Sequence, residues 1–198
     1  RTCDRPCEPA CRRTRVDGKP VAICRLKRVA ADHKSDEVMA RLPKAPAQKN
    51  GKKVALIGAG PASLTVANDL MPLGYEVTIF EKFDRPGGLM RVNIPSFRLP
   101  RDIISREVDN LKAMGVAFET NKVIGKTFSV PQLMGEMGYD AVFVGAGAGA
   151  PAFLGIPGEF AGQVYSANEF LTRVNLMGGD AFPFTDTPVG IGDDVIVV

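Results

Sequence analysis

Four cysteines lie within the first 24 residues of the chain, and their spacing is the first pattern that could support chemistry. Cys3, Cys7 and Cys11 are separated by three residues each, and Cys24 follows after twelve more. Clustered thiols in a chain without an export signal indicate a metal centre rather than disulfides. An iron-sulfur cluster held by thiolates is favoured, because the paired Cys-x2-Cys spacing that is typical of zinc sites is absent. A zinc site and free thiols stay open as alternatives.

A glycine-rich turn between a predicted strand and a predicted helix is the second such pattern. Lys53–Ile57 is a short apolar run typical of a strand, Gly58-Ala59-Gly60-Pro61-Ala62-Ser63 follows it, and a helical pattern continues over 64–70. In such a unit the first glycine permits the tight turn, and the second lets the backbone approach a pyrophosphate at the positive end of the helix. Ser63 stands where glycine or alanine is usual, which weakens the match but leaves its context intact.

An acidic residue and a second glycine pair refine this prediction. The next predicted strand is Glu76–Phe80, and it ends at Glu81. Glu81 lies 23 residues after Gly58, where a carboxylate would accept a hydrogen bond from an adenosine ribose hydroxyl. A surface glutamate is the alternative. Gly87 and Gly88 follow six residues beyond Glu81, a position at which flavoproteins with two dinucleotide-binding domains place a glycine turn. FAD is therefore favoured over NAD.

Two later segments could approach the same ligand. The loop at 93–101 contains two prolines and two arginines, and Arg98 on so stiff a loop is well suited to a phosphate, with an ordinary exposed arginine as the alternative. Residues 145–150 repeat the glycine pattern, but Pro151 and Pro157 follow where a helix would have to run. We therefore predict no second dinucleotide site there and expect this segment to return the chain close to the FAD.

The remaining elements are predicted from apolar periodicity. We expect an amphipathic helix over 103–114, strands at 116–121 and 141–144, and a helix over 166–177 that begins with a capping box. The last four residues, 195–198, read as a further buried strand. Strands that alternate with helices predict an α/β fold.

Charge and cysteine content divide the 198 residues in two. Residues 1–53 contain 15 basic and 6 acidic side chains, a net charge of +9, whereas the rest contain 10 and 16, a net charge of −6. The stretch at 42–51 is composed of Pro, Ala and polar residues, as a linker would be. We therefore predict a cysteine-bearing domain at 1–41, a linker at 42–53 and a nucleotide-binding domain at 54–198.

Composition argues against several classes of function. With 45% hydrophobic and 24% charged residues the chain is typical of a folded globular protein, and no apolar run reaches the roughly 18 residues of a membrane-spanning helix. A single histidine, His33, makes a Ser-His-Asp triad or a multi-histidine metal site unexpected. The basic residues are interleaved with cysteine and proline rather than aromatic residues, so nucleic acid is not an expected partner. Without a leader for secretion, the cytoplasm is the expected compartment.

The motifs follow one another in a recognisable order. The chain reads Cys-x3-Cys-Glu-x2-Cys, a basic linker, Val-x-Leu-Ile-Gly-Ala-Gly-Pro-Ala, Thr-Ile-Phe-Glu, Gly-Gly-Leu and Ile-Pro-x-Phe-Arg-Leu-Pro. Over nearly its whole length it resembles the glutamate synthase small-subunit family, which includes the related half of dihydropyrimidine dehydrogenase. The resemblance implies a Rossmann-like FAD domain of the two-dinucleotide type, preceded by part of a small helical iron-sulfur domain. Electrons would pass between NAD(P)H, FAD and 4Fe-4S clusters, with a catalytic large subunit or electron-acceptor protein as partner.

The resemblance also implies roles for single residues. The predicted cofactor-binding set is Gly58, Gly60, Pro61, Ala62 and Ser63 at the pyrophosphate, Glu81 at the ribose, Gly87, Gly88 and Leu89 towards the flavin, Arg98 at a phosphate, the Val123 backbone near the adenine, and Lys82 and Gly147 nearby. Cys3, Cys7 and Cys11 match one 4Fe-4S cluster whose fourth ligand would precede this chain. Cys24 matches no family ligand and is kept as a candidate.

The ends of the chain favour a fragment of a longer protein. The first residue is Arg rather than Met, and the strand predicted at 195–198 would lead into a separate NAD(P)H domain of the family. We therefore expect no turnover from this chain alone. A plain NAD-binding dehydrogenase domain, and a nonenzymatic or zinc-stapled nucleotide-binding module, are the alternative functions.

Overall fold

The computed structural model describes residues 2–198, apart from the side chains of residues 36 and 39. Its contacts divide the chain into two units, Arg1–Pro43 and Lys44–Val198. The boundary falls near the start of the predicted linker, and residues 44–52 pack with the second unit: Ala45 lies against its core, and Asn50 N donates to Gly74 O at 2.9 Å.

The first unit is helical. Its helices are α1 (Thr14–Asp17), α2 (Ile23–Asp32) and α3 (Asp36–Ala40). None of its described side chains is buried, so the described part of this unit has no apolar core.

The second unit alternates strands and helices. It contains β1 (Lys53–Ile57), α4 (Pro61–Leu70), β2 (Glu76–Phe80), α5 (Leu89–Val92), α6 (Arg101–Ala113), β3 (Ala117–Glu119), α7 (Val130–Gly135), β4 (Ala141–Val144) and α8 (Ala167–Asn175), with 3₁₀ turns at Met71–Leu73 and Gly179–Ala181. The four strands form one parallel sheet in the order β3-β2-β1-β4. This is the order of a Rossmann-type sheet, so the predicted α/β fold is confirmed.

Helices cover both faces of the sheet, which is why β1 is an unbroken apolar run. On one face α4 and α6 pack on the strands, and the buried set is Val54, Leu56, Ala59, Leu64, Ala67, Met71, Val77, Ile79, Val108, Leu111 and Val116. On the other face Ala55 and Phe80 pack with Leu133 of α7. The Phe80 ring meets Tyr139 edge to face, with centroids 5.9 Å apart.

One element predicted from the sequence is wrong, and one helix of the structure was not predicted. The strand predicted at 195–198 is wrong, because these residues are exposed and form no ladder in the described part of the chain; a strand exists only through a neighbour that pairs with it. The sequence reasoning also missed α7, whose Ser129 and Gln132 form a complete capping box. None of the helices among residues 2–198 is long and apolar enough to cross a bilayer.

Candidate functional site

The glycine turn connects the end of β1 to the start of α4. Gly58 has a φ of +89°, which glycine adopts without strain, and its N–H donates to Phe80 O at 2.7 Å. Gly60 is the N-cap of α4, and Pro61 occupies the first helical turn. Because the first N–H groups of a helix have no intrahelical partner and the helix dipole is positive there, this end of α4 favours an anion.

Two further glycine segments pack against this turn, backbone on backbone. A Cβ on Gly88 would lie 2.7 Å from Gly60 Cα, and a Cβ on Gly58 would lie 2.5 Å from the carbonyl oxygen of Gly145. Glycine patterns that are far apart in sequence thus meet at the carboxyl ends of the strands. Ligands of open α/β sheets bind at that edge.

Gly60 differs from its neighbours because nothing in the protein requires glycine there. Its backbone is extended, with φ −79° and ψ 178°, which any residue adopts. A Cβ at this position would meet no other atom within 4 Å. The open side of Gly60 therefore adjoins the space that a pyrophosphate needs in order to approach the N-terminus of α4.

Glu81 is buried, with 3% of its surface exposed, and its carboxylate fixes the turn. Oε2 accepts from Ala59 N at 2.6 Å, and Oε1 accepts from Phe83 N at 3.0 Å. Ala59 is held a second time through its carbonyl, which accepts from Gly87 N at 2.9 Å. A carboxylate has about four acceptor positions, so Glu81 can hold the turn and still accept a ribose hydroxyl, as the sequence predicts.

Ser63 lies in the first turn of α4 and has an unsatisfied hydroxyl. The residue is fully buried, and its Oγ has no hydrogen-bond partner among residues 2–198. A Cβ on Gly145 would collide with that oxygen, so the glycine leaves room for it. The hydroxyl therefore lies where α4 packs on the end of β4, and the open side of Gly60 is the feature that fits a dinucleotide whose phosphate lies here.

The remaining predicted cofactor residues lie nearer the surface. Lys82 is exposed, and its Nζ lies 4.8 Å from the centroid of the Phe83 ring and 3.4 Å from where a Cβ on Gly149 would be. Leu89 is the partly covered first residue of α5. The side chain of Arg98 is exposed and makes no hydrogen bond or ion pair within the described part of the chain. Its phosphate-binding role stays a prediction.

Val123 and Gly147 lie in two different segments. The Val123 amide donates to Thr127 Oγ1 at 3.0 Å, so the backbone donor expected near the adenine is engaged within the protein. Its neighbour Lys122 donates to Glu81 O at 2.9 Å, which places this segment beside the site. Gly147 has a φ of +72° and open space around it. Neither placement tests the predicted contact.

The sequence reasoning missed Arg91, which supports the Gly87–Gly88 turn from within α5. Its guanidinium donates to Pro86 O at 2.8 Å and to Ser105 Oγ at 3.2 Å. Burial lowers the pKa of Arg91, and the nearby Arg101 lowers it further. The signal in the sequence is an arginine three residues after a glycine pair, which does not distinguish an internal donor from a surface cation.

In the first unit, two of the four thiols have shifted pKa values. Hydrogen bonds from the backbone amides of Val21 and Arg13 lower the pKa of Cys11, which favours the thiolate that binds metals. Burial raises the pKa of Cys24, and the adjacent Cys7 raises it further. Cys7 and Cys24 are therefore neighbours, although they lie 17 positions apart.

The predicted metal ligands are not assembled in this structure. Within residues 2–198 no group of three or more Cys, His, Asp or Glu side chains is placed to hold a metal ion. The assignment of Cys3, Cys7, Cys11 and Cys24 therefore stays a prediction, and no electron-transfer step is derived through a cluster.

Comparison with known proteins relates the chain to NAD(P)-linked oxidoreductases. A profile of NAD(P)-binding Rossmann-like domains matches residues 56–107, the segment that carries the glycine turn. The chain is 41% identical over 200 residues to the beta subunit of NADP(+)-dependent formate dehydrogenase from Moorella thermoacetica. It is 38% identical over 190 residues to PreT, a subunit of NAD-dependent dihydropyrimidine dehydrogenase from Salmonella typhimurium, and 36% identical over 175 residues to the glutamate synthase [NADPH] small chain of Mycobacterium tuberculosis.

The chain is similar to all three of these proteins, the glutamate synthase small chain among them. The three alignments cover 89%, 94% and 88% of the chain, but only 28%, 44% and 35% of the relatives. The chain thus spans less than half the length of these relatives. Among solved structures, FprA from Mycobacterium tuberculosis in complex with NADPH superposes with a TM-score of 0.57 and 25% identity, over 62% of this chain and 28% of FprA.

Proposed function

We propose that this chain carries the FAD site of an NAD(P)H-dependent oxidoreductase subunit of the glutamate synthase small-chain type. The observation that carries the proposal is the open side of Gly60 at the N-terminus of α4. A free N-terminal turn and a backbone that a ligand can approach together suit a pyrophosphate.

The Gly87–Gly88 turn supports FAD over a nicotinamide dinucleotide. It packs on Gly60, and its Gly87 N–H donates to the Ala59 carbonyl, so it belongs to the same site. A plain NAD(P)-binding domain is the second candidate, favoured by the description of the matching profile. The two candidate functions differ in the dinucleotide that binds beside the turn: FAD in the first and NAD(P) in the second.

The protein's own residues bind and orient the dinucleotide in this proposal. The first N–H groups of α4, that of Ser63 among them, would donate to the pyrophosphate, and Glu81 would accept from the ribose while holding Ala59 in place. A bound flavin would supply hydride and electron-transfer chemistry at this site.

The relatives support a role within a larger assembly. The formate dehydrogenase and dihydropyrimidine dehydrogenase relatives are both named as subunits, so we propose a catalytic or electron-acceptor partner in the cytoplasm.

We also propose that Cys3, Cys7 and Cys11 contribute to a 4Fe-4S cluster, with Cys24 beside it. The lowered pKa of Cys11 and the proximity of Cys7 to Cys24 support a metal there.

Titration of the purified chain with nucleotides tests the proposed function. We expect one equivalent of FAD to bind and to stay bound through gel filtration, ADP to compete with it, and FMN, which lacks the adenosine half, not to bind. A chain that binds NADP⁺ but not FAD would favour the nicotinamide domain instead. A chain that binds neither would refute the dinucleotide site.

Metal analysis tests the cysteine assignment separately. After anaerobic purification and reconstitution with iron and sulfide, we expect iron and acid-labile sulfide in equal amounts, and less of both in Cys11→Ser. Zinc in place of iron would support the zinc-stapled alternative. Equal iron in Cys11→Ser and the unsubstituted chain would remove Cys11 from the ligand set.

A further inference from the structure

Asn168 connects two of the segments that border the candidate site. Its Nδ2 donates to the Gly149 carbonyl at 3.3 Å, and its Oδ1 accepts from Asn93 Nδ2. Asn93 follows α5, the short helix that begins directly after the Gly87–Gly88 turn. One side chain therefore joins the glycine segment after β4 to the end of α5.

The segment at 146–150 depends on this contact for its position. Gly145 is held by its N–H, which donates to Ile57 O at 2.9 Å. Beyond it, among the residues that the structure describes, the hydrogen bond from Asn168 to Gly149 is the only one that reaches 146–150. These five residues are exposed, and a segment with few bonds and little buried surface moves at low free-energy cost. Within the described residues, the hydrogen bond from Asn168 is thus the polar contact that positions this segment.

Helix α8 holds Asn168 in a fixed place. Ser166 caps the helix, its Oγ accepting from Glu169 N at 3.2 Å. At the other end of α8, Asn175 Nδ2 donates to Val92 O at 3.0 Å. Both ends of α8 are therefore hydrogen-bonded to the end of α5. Asn168 alone of these two asparagines also contacts the segment at 146–150. Asn175 is a matched comparison residue, because it has the same side chain, helix and neighbour without that second contact.

We propose that Asn168 is a positioning residue that sets the distance between residues 146–150 and the Gly87–Gly88 turn. It would thereby orient the end of the dinucleotide that lies between them. The amide suits this role because it donates and accepts at once, whereas the carboxylate introduced by Asn168→Asp would keep the acceptor and lose the donor. The ligand part of the inference rests on the proposed function, but the contact is a property of the protein alone.

Nitrogen relaxation of the ligand-free protein, labelled on glycine, tests the contact without any cofactor. In the unsubstituted chain we expect rigid-backbone order parameters of about 0.8 at Gly147 and Gly149, falling below about 0.6 in Asn168→Ala and Asn168→Asp. Asn175→Ala should leave both glycines unchanged. Equal mobility of the two glycines in Asn168→Ala and Asn175→Ala would overturn the proposal.

FAD binding tests the orienting role. Loss of one hydrogen bond should weaken FAD binding about three- to tenfold in Asn168→Ala. The absorption bands of the bound flavin should also change shape, which a loss of stability alone would not produce. Asn175→Ala should match the unsubstituted protein in both. Identical affinity and band shape in Asn168→Ala would overturn the orienting role. If the unsubstituted chain binds no flavin, the proposed function fails, and the relaxation data still decide whether Asn168 holds the segment.

Discussion

Gly60 offers the sharpest test of the candidate site, because we attribute its glycine to the proposed ligand and not to the fold. In Gly60→Ala the new methyl group meets no protein atom within 4 Å. The smaller entropy of the unfolded chain stabilises the variant by about 0.4–1 kcal/mol, and the poorer N-cap opposes this by an amount of similar size, up to about 1 kcal/mol. We expect the free energy of unfolding to change by less than about 1 kcal/mol.

Binding should respond very differently from stability. The methyl group occupies the approach to the N-terminus of α4, so at least one charge-assisted hydrogen bond to the pyrophosphate is lost. Such a bond is worth about 1.5–3 kcal/mol, which corresponds to roughly 10- to 150-fold weaker FAD binding. Urea unfolding of the ligand-free chain and FAD titration measure the two effects separately.

Gly88→Ala is the matched comparison, because the fold and not the ligand requires glycine at position 88. Gly88 has a φ of +52°, and its Cβ would lie 2.7 Å from Gly60 Cα. Backbone strain of about 1–3 kcal/mol and the displaced turn should both lower the free energy of unfolding. If Gly60→Ala binds FAD like the unsubstituted chain, the assigned pyrophosphate approach is wrong. If it unfolds as readily as Gly88→Ala, the position is structural.

Three further predictions concern charge, the buried carboxylate and the core. A hydrogen bond from Lys52 holds the pKa of Asp140 below its usual 3.8, so folding favours the charged carboxylate. Asp140→Asn should therefore lower the free energy of unfolding at pH 7. In urea titrations the difference between this variant and the unsubstituted chain should vanish as the pH falls below 3.8. Glu81→Gln places an amide N–H₂ against a backbone donor and should cost about 1–3 kcal/mol, measured by urea unfolding, together with weaker FAD binding. Leu133→Ala empties a fully buried site and should cost about 2–5 kcal/mol in the same measurement, whereas the exposed Leu154→Ala should stay within about 0.5 kcal/mol.

The central part of the fold could be predicted from local sequence because its signals are short-range. The apolar run of Lys53–Ile57, the glycine turn after it and the second strand at Glu76–Phe80 each carry their own periodicity, and the structure has both strands at those bounds. The 23-residue spacing from Gly58 to Glu81 could likewise be read directly, and the structure joins the two through Ala59.

The missed features all depend on partners that are distant in sequence. The sequence predicts only a helix around Asn168, since nothing near this residue in sequence points to Gly149. Arg91 resembles any arginine of a surface helix until Ser105 is brought beside it. The wrong strand at 195–198 has the same cause, because strand propensity is local whereas the ladder that makes a strand is not.

The position of β1 at the centre of the sheet has a consequence for the order of events during synthesis. One edge of β1 pairs with β2, which follows closely, but the other pairs with β4, and Val54 is matched with Ala141, 87 positions later. At about 5–20 residues per second of translation, the ribosome needs roughly 4 to 17 seconds to supply that second neighbour. During this interval a strand that is apolar from Val54 to Ile57 has an unpaired edge, the kind of surface that recruits other chains. Synonymous codons that slow translation between β2 and β4 should therefore increase aggregation of the nascent protein without changing a single residue.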